Sequence, residues 1–275
     1  MKNIDMNVVD DFGDEWDKFD HVALKDEDIK ISYDQYFQIF PFDKLKPDAE
    51  GFDMGCGSGR WAKFVAPQVG LLNCIDPSIL AINVAKKNLS EYTNVEFHNA
   101  SVGDDVLSDG SQDFGYCLGV LHHIPDTLSG VKSCSRLLKK DAPFLLYLYY
   151  NLENRPLLFR LIWKLSDYVR RFICIMPKRI KMLFCTLIAL FVYWPLARAA
   201  FVLEKCALDV SSVPLNDYRK KSFYFMNNDA LDRFGTRLEQ RFSKSQILDM
   251  LIQAGFKDIH FSEEMPCWVC IARKA

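Results

Sequence analysis

The chain has 275 residues, of which 49% are hydrophobic and 25% are charged, and its formal net charge is −2. These fractions exclude a disordered, collagen-like or low-complexity protein, and the length allows one large domain with an elaboration. The near-neutral charge argues against general binding of nucleic acid through a basic face, so no nucleic-acid partner is expected.

The N-terminus and the nine cysteines indicate a reducing compartment. The acidic opening, MKNIDMNVVDDFGDEWDKFD, has no basic region followed by an apolar stretch and does not resemble a signal peptide. The odd number of scattered cysteines is typical of buried free thiols, which predicts a cytoplasmic location. Cys267 and Cys270 form a lone CxxC in a strand-like segment without a second ligand pair, so no metal site is predicted.

From residue 46 to residue 150 the sequence alternates short apolar runs with helix-like segments. Strands are predicted, in chain order, at GFDM, LLNCID, VEFH, DFGYCLGV and PFLLYLYY. Ser78 and Asp126 are the predicted N-caps of two intervening helices. Because the strands are apolar on both faces and alternate with helices, we expect a parallel sheet covered by helices on both sides.

The strand and helix pattern returns near the C-terminus. Ser243 and Gln246 stand at capping-box spacing before an apolar helix face, and Gly255 predicts the end of that helix. The segments DIHFS and CWVCIARK are two further predicted strands, and the short connection between them favours an antiparallel hairpin. The expected fold is therefore α/β, with a doubly wound, mostly parallel seven-stranded sheet and an antiparallel C-terminal strand.

Between these two regions lies a basic and strongly apolar segment that we predict to be a mainly helical insert, residues 151–242. Its first part, residues 151–222, holds 13 Lys and Arg against 5 Asp and Glu, a net charge of +8, whereas the rest of the chain has a net charge of −10. The run from Met182 to Ala197 has sixteen residues without charge, fewer than the ~20 of a membrane span. Pro195 is expected to disturb the end of this run.

Two compatible interpretations of the insert stay open, with a membrane span as a third. The insert can form a helical lid whose apolar face packs on the sheet. Alternatively, its apolar helices with basic flanks predict peripheral contact with an anionic membrane surface through residues 160–205.

The sharpest local signal is the glycine-rich turn GFDMGCGSGR, which follows the first predicted strand. Gly55, Gly57 and Gly59 let main-chain N–H groups approach a ligand closely, because no Cβ stands in the way. Asp76, seventeen residues after Gly59, ends the second strand, where a carboxylate can accept ribose hydroxyls. The spacing G-x-G-x-G after Asp53 disfavours a pyrophosphate and suits a ligand with an ammonium group, which favours S-adenosylmethionine over NAD.

On these residues the chain resembles the class I S-adenosylmethionine-dependent methyltransferases of the small-molecule type, which have a Rossmann-like sheet. DMGCGSGRWA resembles the first motif of the family, CIDPS the second, and DFGYCLGVLHHIPD the segment around the fourth strand. The resemblance covers about residues 30–150 and 223–275. It implies transfer of a methyl group to O, N or S of a small acceptor, which the apolar insert predicts to be hydrophobic or lipid-linked.

The resemblance also implies a set of cofactor-binding residues. They are Asp53, Gly55, Cys56, Gly57, Ser58, Gly59, Asp76, Pro77, Ala100, Ser101, Val102, Leu118 and Gly119. Asp53 would lie near the amino group of the cofactor, and Asp76 would hold the ribose hydroxyls. Many relatives carry an acidic residue after the third strand where this chain has Ser101, so Ser101 or a main-chain group would have to contact the adenine.

Candidate catalytic residues are His123, His122 and Tyr149, which follow the fourth and fifth strands. A histidine titrates near neutrality and can act as the base that a hydroxyl acceptor needs. The alternative is that the LHHIP segment only shapes its loop and that the tyrosine belongs to the core.

Four residues are candidates for contact with the acceptor: Tyr36, Tyr150, Arg233 and Arg237. The two arginines could bind an anionic acceptor, or they could pair with neighbouring carboxylates in a solvated turn. Core packing is the alternative for the two tyrosines.

The predicted organisation has four segments: an N-terminal helical cover (1–45), a cofactor-binding core (46–150), a lid-forming insert (151–242), and a helix with a β-hairpin that completes the core (243–275). Two other functions stay open. One is an NAD-linked oxidoreductase on the same sheet topology, and the other is a non-catalytic, membrane-associated binding module.

Overall fold

A computed structural model describes residues 3–18, 26–153, 155–210, 213–264, 266 and 268–275. Cys267, one half of the predicted CxxC pair, lies outside the described residues. The chain divides into two compact units. The first unit comprises Met1–Glu153 and Leu238–Ala275, and the second comprises Asn154–Arg237.

The first unit is built on a seven-stranded sheet. Its strands are β1 (Glu50–Met54), β2 (Leu71–Asp76), β3 (Val95–Asn99), β4 (Phe114–Leu118), β5 (Pro143–Tyr147), β6 (Phe256–Phe261) and β7 (Cys270–Lys274). They lie in the order β3-β2-β1-β4-β5-β7-β6, and β7 runs in the direction opposite to the other six strands. The predicted fold class is confirmed. The strand order reverses between β1 and β4, and the crevice at the carboxyl ends of these strands is where open α/β sheets bind ligands.

Three of the helices described in the first unit begin at predicted caps. They are α1 (Met6–Lys18), α2 (Asp26–Phe37), α3 (Ala62–Val65), α4 (Ile79–Asn88), α5 (Thr127–Leu137) and, after the second unit, a helix over Lys244–Gln253. Ser78 and Asp126 cap α4 and α5, because each side chain accepts a hydrogen bond from a main-chain N–H in the first turn. Ser243 and Gln246 form the predicted capping box.

Apolar side chains cover both faces of the sheet. On one face Phe52 and Phe144 pack with residues of α5 and of the helix Lys244–Gln253, and they are fully buried. On the other face N-terminal aromatic residues pack against the sheet: the ring of Phe37 lies 5.2 Å from that of Tyr116, and that of Phe40 lies 6.0 Å from that of Phe114. The central strands are buried on both faces, and this accounts for their continuous apolar runs.

The second unit is helical in its described part. Its helices are α6 (Leu157–Ile173), α7 (Lys178–Ile188), α8 (Trp194–Lys205) and α9 (Phe223–Gly235), so the helix Lys244–Gln253 of the first unit is α10. A π-helical turn, Ala189–Tyr193, joins α7 to α8. The two helices therefore continue as one helix of 28 residues, Lys178–Lys205, which by its length and apolar composition alone could cross a membrane.

Pro195 lies within this long helix, and the disturbance predicted for it takes the form of the π-helical turn that precedes it, not of an end of the helix. The residue occupies the first turn of α8, directly after the π-helical turn. A π turn is wider than an α turn and shifts the hydrogen-bond register by one residue, so it absorbs the missing N–H and the bulk of the proline ring.

The packing of α10 predicts a difference between two leucines of the same helix. Leu251 is fully buried against the sheet, whereas Leu248 is 37% exposed. Leu251→Ala should lower the free energy of unfolding by roughly 2–5 kcal/mol, because it removes apolar burial and leaves a cavity. Leu248→Ala should cost about 1 kcal/mol or less. Urea unfolding followed by circular dichroism measures both, and equal losses would contradict this packing.

Candidate active site

The turn after β1 is held tightly against the end of β2. The N–H groups of Gly55 and Cys56 both donate to the carbonyl of Ile75, at 2.7 and 3.1 Å. Gly55 has a φ of +79°, and a Cβ at this position would lie 2.4 Å from the side chain of Val120. Glycine is therefore required here both for the left-handed backbone and for the close approach.

Asp76 ties this turn to the start of α4. Its Oδ2 accepts a hydrogen bond from the N–H of Gly57 and its Oδ1 accepts one from the N–H of Ser78, each at 2.9 Å. Burial raises the pKa of Asp76 to about 6, although both hydrogen bonds act in the opposite direction. Each carboxylate oxygen keeps a second lone pair, so the side chain can also accept hydroxyl groups of a ligand.

Asp53 lies at the carboxyl end of β1 and is almost completely buried. Burial raises its pKa to about 8, while the neighbouring Tyr116 hydroxyl lowers it and Asp76 raises it further. Within the described part of the chain Asp53 makes no salt bridge. The charge of Arg60 lowers this pKa only in part, so a buried acid whose pKa stays raised fits a ligand that brings an ammonium group, as the sequence predicts.

The remaining predicted cofactor residues surround the same edge of the sheet. Cys56 and Ser58 are buried, and the N–H of Gly59 donates to the carbonyl of Cys56 at 2.9 Å, which closes the turn. Gly119, after β4, has a φ of +80°, and a Cβ there would meet no atom within 4 Å. The space beside Gly119 is thus open, and this is the space that the methionine part of the cofactor would need.

The segment after β3 leaves little main chain for an adenine contact. The N–H of Ala100 donates to the carbonyl of Asp76 at 3.1 Å, and the N–H of Ser101 donates to a carboxylate oxygen of Asp104 at 2.9 Å. Both N–H groups are therefore engaged within the protein. The Ser101 side chain and Val102 remain predicted contacts, as does Pro77 after β2.

The two adjacent histidines have different hydrogen bonds. Nδ1 of His123 lies 2.7 Å from the carbonyl oxygen of Leu238, so this nitrogen carries the proton and donates. Nδ1 of His122 accepts the N–H of Tyr149 at 3.4 Å, so its proton lies on Nε2. Burial, together with the charges of His123 and Arg241, lowers the pKa of His122 well below its usual value.

Tyr149 connects the histidines to a buried ion pair. Its ring stacks on His122 with centroids 3.8 Å apart, and the Arg241 guanidinium lies 5.1 Å from the same ring. Nε of Arg241 donates to Oε1 of Glu239 at 2.7 Å, and Nη1 donates to the carbonyl of Tyr150 at 3.1 Å. Glu239 and Arg241 stand in the same sequence segment as Arg233 and Arg237, for which a solvated turn is one of the two interpretations. The structure instead buries Glu239 and Arg241 behind the tyrosine.

The candidate acceptor residues are divided between the two units. Tyr36 and Tyr150 belong to the first unit, where the Tyr36 ring lies 5.1 Å from that of Tyr147. Arg233 and Arg237 belong to the second unit; Nη2 of Arg233 donates to Oγ of Ser166 at 3.3 Å, and Arg237 is exposed. Their contact with an acceptor stays a prediction.

Two residues of α1 lie against the site and were not among the predicted site residues. The Phe12 ring meets the His123 ring edge-on, with centroids 4.9 Å apart, and a Cβ on Gly57 would lie 3.0 Å from the Trp16 indole. The signal in the sequence is their spacing of four residues, which puts both rings on one helix face. Only the packing of α1 shows that this face covers the glycine turn.

Known proteins with similar sequences are methyltransferases. Residues 52–146 match a family model described as a methyltransferase domain. The chain is 28% identical over 171 residues to the ubiquinone biosynthesis O-methyltransferase of Actinobacillus pleuropneumoniae serotype 5b, an alignment covering 57% of this chain and 68% of that protein. It is 29% identical over 134 residues to the Xanthomonas campestris pv. campestris protein of the same name, covering 48% of this chain and 54% of that relative.

Solved structures share the fold. A SAM-dependent methyltransferase from Thermotoga maritima superposes with a TM-score of 0.50 at 14% identity, covering 96% of this chain and 99% of that one. The S-adenosylmethionine-dependent methyltransferase SibL gives a TM-score of 0.54 at 14% identity, covering 89% of this chain and 55% of the other. At such identities the likeness shows the fold alone.

The motif series, the strand order and the sequence matches together define a class I S-adenosylmethionine-dependent methyltransferase. The predicted class and the predicted cofactor are confirmed. The residues present fit this cofactor, because the buried acid Asp53, the open space at Gly119 and the carboxylate of Asp76 lie around one turn. Among the described residues, no group of three or more His, Cys, Asp or Glu side chains could hold a metal ion.

The steric demand at Gly55 predicts a loss of cofactor binding on substitution. Gly55→Ala should weaken S-adenosylhomocysteine binding by tenfold or more in calorimetry, because its Cβ would strain the backbone and collide with Val120. Gly110→Ala is the matched control, since Gly110 also has a positive φ, +61°, but a Cβ there meets no atom within 4 Å. Equal affinities in the two variants would show that the turn does not hold the cofactor.

The raised pKa of Asp53, about 8, predicts a pH-dependent affinity. The ionised carboxylate is the form that pairs with the ammonium group of the ligand. The affinity for S-adenosylhomocysteine should therefore rise by up to tenfold per pH unit from about pH 6.5 to 8 and then level off. Asp53→Asn should bind the ligand weakly, and its affinity should not change with pH in this way.

The same raised pKa means that Asp53 opposes folding of the ligand-free protein as the pH rises from about 4 to 8, so Asp53→Asn should gain stability relative to the unchanged protein at pH 8.

Proposed function

We propose that this methyltransferase methylates a hydroxyl group of an apolar small molecule, with His123 as the general base. The observation that carries this proposal is the hydrogen bond from Nδ1 of His123 to the carbonyl of Leu238. In a neutral imidazole held in this way the lone pair lies on Nε2, which can accept a proton from an acceptor hydroxyl. The carbonyl also fixes the tautomer and the orientation of the ring.

His122 does not fit the role of base. Its Nδ1 lone pair is directed to the N–H of Tyr149, and its buried Nε2 bears the proton and has no hydrogen-bond partner among the residues that the structure describes. The pKa of the ring lies well below the usual value, so it gains a proton only with difficulty. We assign His122 a positioning role: it supports the Tyr149 ring and the neighbouring His123.

The relatives and the surroundings of the histidine support a hydroxyl acceptor. When bound, S-adenosylmethionine supplies a methyl group that is already activated by a positively charged sulfur. A hydroxyl acceptor still has to lose a proton, whereas an amine or thiol can need only desolvation and the correct protonation state. The two relatives are named as O-methyltransferases of ubiquinone biosynthesis, which is consistent with a base of this kind.

The apolar character of the acceptor rests on the aromatic side chains at the carboxyl ends of β1 and β5. The Tyr36 ring contacts the rings of Trp61 and Tyr147, at 5.2 and 5.1 Å, and the Tyr147 ring lies 6.0 Å from that of Tyr149. Trp61 and Tyr147 are themselves buried, whereas Tyr36 and Tyr149 are partly exposed, so these two rings would contact a flat apolar acceptor. Positioning of this kind can be worth roughly 7–11 kcal/mol. The role of the insert as a lid stays a prediction.

The acceptor class can be tested by methyl transfer from radiolabelled S-adenosylmethionine. Matched acceptors would share one alkylated ring and differ in a single group, a hydroxyl or an amine. The proposal predicts transfer to the hydroxyl compounds, with the rate increasing as the alkyl chain lengthens. Transfer to the amine alone would overturn it, and no transfer by protein that binds S-adenosylhomocysteine would favour a non-catalytic binding module.

The role of His123 predicts a selective loss of turnover. His123→Asn keeps a donor for the Leu238 carbonyl but removes the base, so kcat for the hydroxyl acceptor should fall by roughly 10²- to 10⁴-fold. The affinity for S-adenosylhomocysteine should stay unchanged. His260→Asn, the same substitution at an exposed position of β6, is the control and should leave kcat unchanged. A loss below threefold in His123→Asn would exclude the histidine as the base.

A further inference from the structure

Helix α6 turns its apolar face outward. Leu157, Leu161, Leu165, Tyr168 and Phe172 recur at helical spacing on one face, and they are 54% to 79% exposed. In a helix that packs on a protein core, a face of this composition is the buried one. The outward direction of these side chains therefore calls for another apolar medium.

The opposite face of α6, which is packed inside the second unit, holds a buried ion pair beside apolar residues such as Ile173, which is 1% exposed. Nε of Arg170 donates to Oδ1 of Asp167 at 2.7 Å, and its Nη1 donates to the carbonyls of Thr236 and Arg237, at 3.0 and 3.2 Å. Burial raises the pKa of Asp167, but the hydrogen bonds and charges of Arg170 and Arg171 outweigh it and the net pKa is lowered. These bonds fix the rotation of the helix, so its apolar face cannot turn inward without breaking them.

The long helix Lys178–Lys205 shows the same inversion. Small residues line its inner side: Cys185, Ala189, Ala197 and Ala200 are at most 1% exposed. Large residues line its outer side, where Ile180, Leu183, Phe184, Leu190, Phe191 and Trp194 are 41% to 70% exposed. Small residues at helix contacts and large apolar residues outside are typical of proteins surrounded by lipid.

Positive charge accompanies both outward faces. Arg160, Lys164 and Arg171 of α6 are exposed beside its apolar residues, and Lys178 and Arg179 are exposed at the start of the long helix. Residues 151–222 as a whole carry a net charge of +8. Basic residues next to an apolar helix face match a surface that is apolar below and negatively charged at its boundary, which is the arrangement of an anionic bilayer.

We propose that the outward faces of α6 and of the helix Lys178–Lys205, here called the apolar face, bind the surface of an anionic phospholipid bilayer. The helices lie in the interface plane. A single crossing by the long helix would leave the outward side of α6 uncovered, and α6 has five charged residues in 17 and cannot cross. This binding is independent of methyl transfer, and it would bring the active unit to acceptors dissolved in the membrane.

Flotation of the full chain with phospholipid vesicles tests the proposal. The protein should float with vesicles that contain about 30% phosphatidylglycerol, and about 1 M NaCl should weaken this binding because it screens the basic residues. Binding to pure phosphatidylcholine should be at least fivefold weaker. No flotation, or equal and salt-independent flotation with both vesicle types, would overturn the proposal.

Matched variants distinguish binding through the apolar face from nonspecific binding by other exposed apolar residues. Leu165→Glu and Phe191→Glu should each reduce flotation by fivefold or more and leave S-adenosylhomocysteine affinity unchanged. Ile252→Glu, at an exposed apolar position of α10 in the first unit, is the control and should float like the unchanged protein. Equal flotation of all three variants would overturn the assignment of the face.

Two further readouts exclude other occupants of the face. Bound protein should be released from vesicles by alkaline carbonate, whereas resistance to extraction would show a crossing helix and overturn the in-plane arrangement. In sedimentation without lipid the protein should show no self-association through this face. If the protein self-associates, Leu165→Glu abolishes that self-association and flotation is absent, the face is an interface between copies of this chain and the membrane proposal is wrong.

Discussion

The hydrogen bonds that hold the glycine turn against β2 are the constraint on which the rest of the site depends. The carbonyl of Ile75 accepts two N–H groups of the turn, and Asp76 binds a third N–H and the start of α4. These bonds require a backbone that only glycine adopts without strain at Gly55. They leave Asp53 buried at the end of β1 with a raised pKa that the charge of Arg60 offsets only in part, so the ammonium group of the cofactor would complete the electrostatics of the site.

The hydrogen bonds of His122 and His123 show how main-chain geometry selects the tautomer of a histidine. The side chains are identical and adjacent, but one ring accepts a main-chain N–H and the other donates to a main-chain carbonyl. The resulting tautomers place a proton on Nε2 of His122 and a lone pair on Nε2 of His123. The carbonyl comes from Leu238, more than a hundred residues away in sequence, so the chain after the second unit completes the site.

The second unit differs from the first in the direction of its apolar residues. In the first unit apolar side chains such as Phe52 and Phe144 point into the sheet core, as in any water-soluble α/β domain. In the second, α6 packs its charged residues Arg170 and Asp167 inward and exposes its leucines. This inversion is the observation behind the proposed contact of the second unit with lipid.

By itself the sequence determined the strand and helix pattern, the caps at Ser78 and Ser243, the glycine turn and the class of cofactor, because each is encoded by residues close together in the chain. The tertiary structure decided what depends on distant contacts. Examples are the tautomer of His123, the burial of the pair formed by Glu239 and Arg241, and the cover that α1 places over the turn. Helical periodicity shows that α6 has an apolar face, but only packing shows that this face points outward.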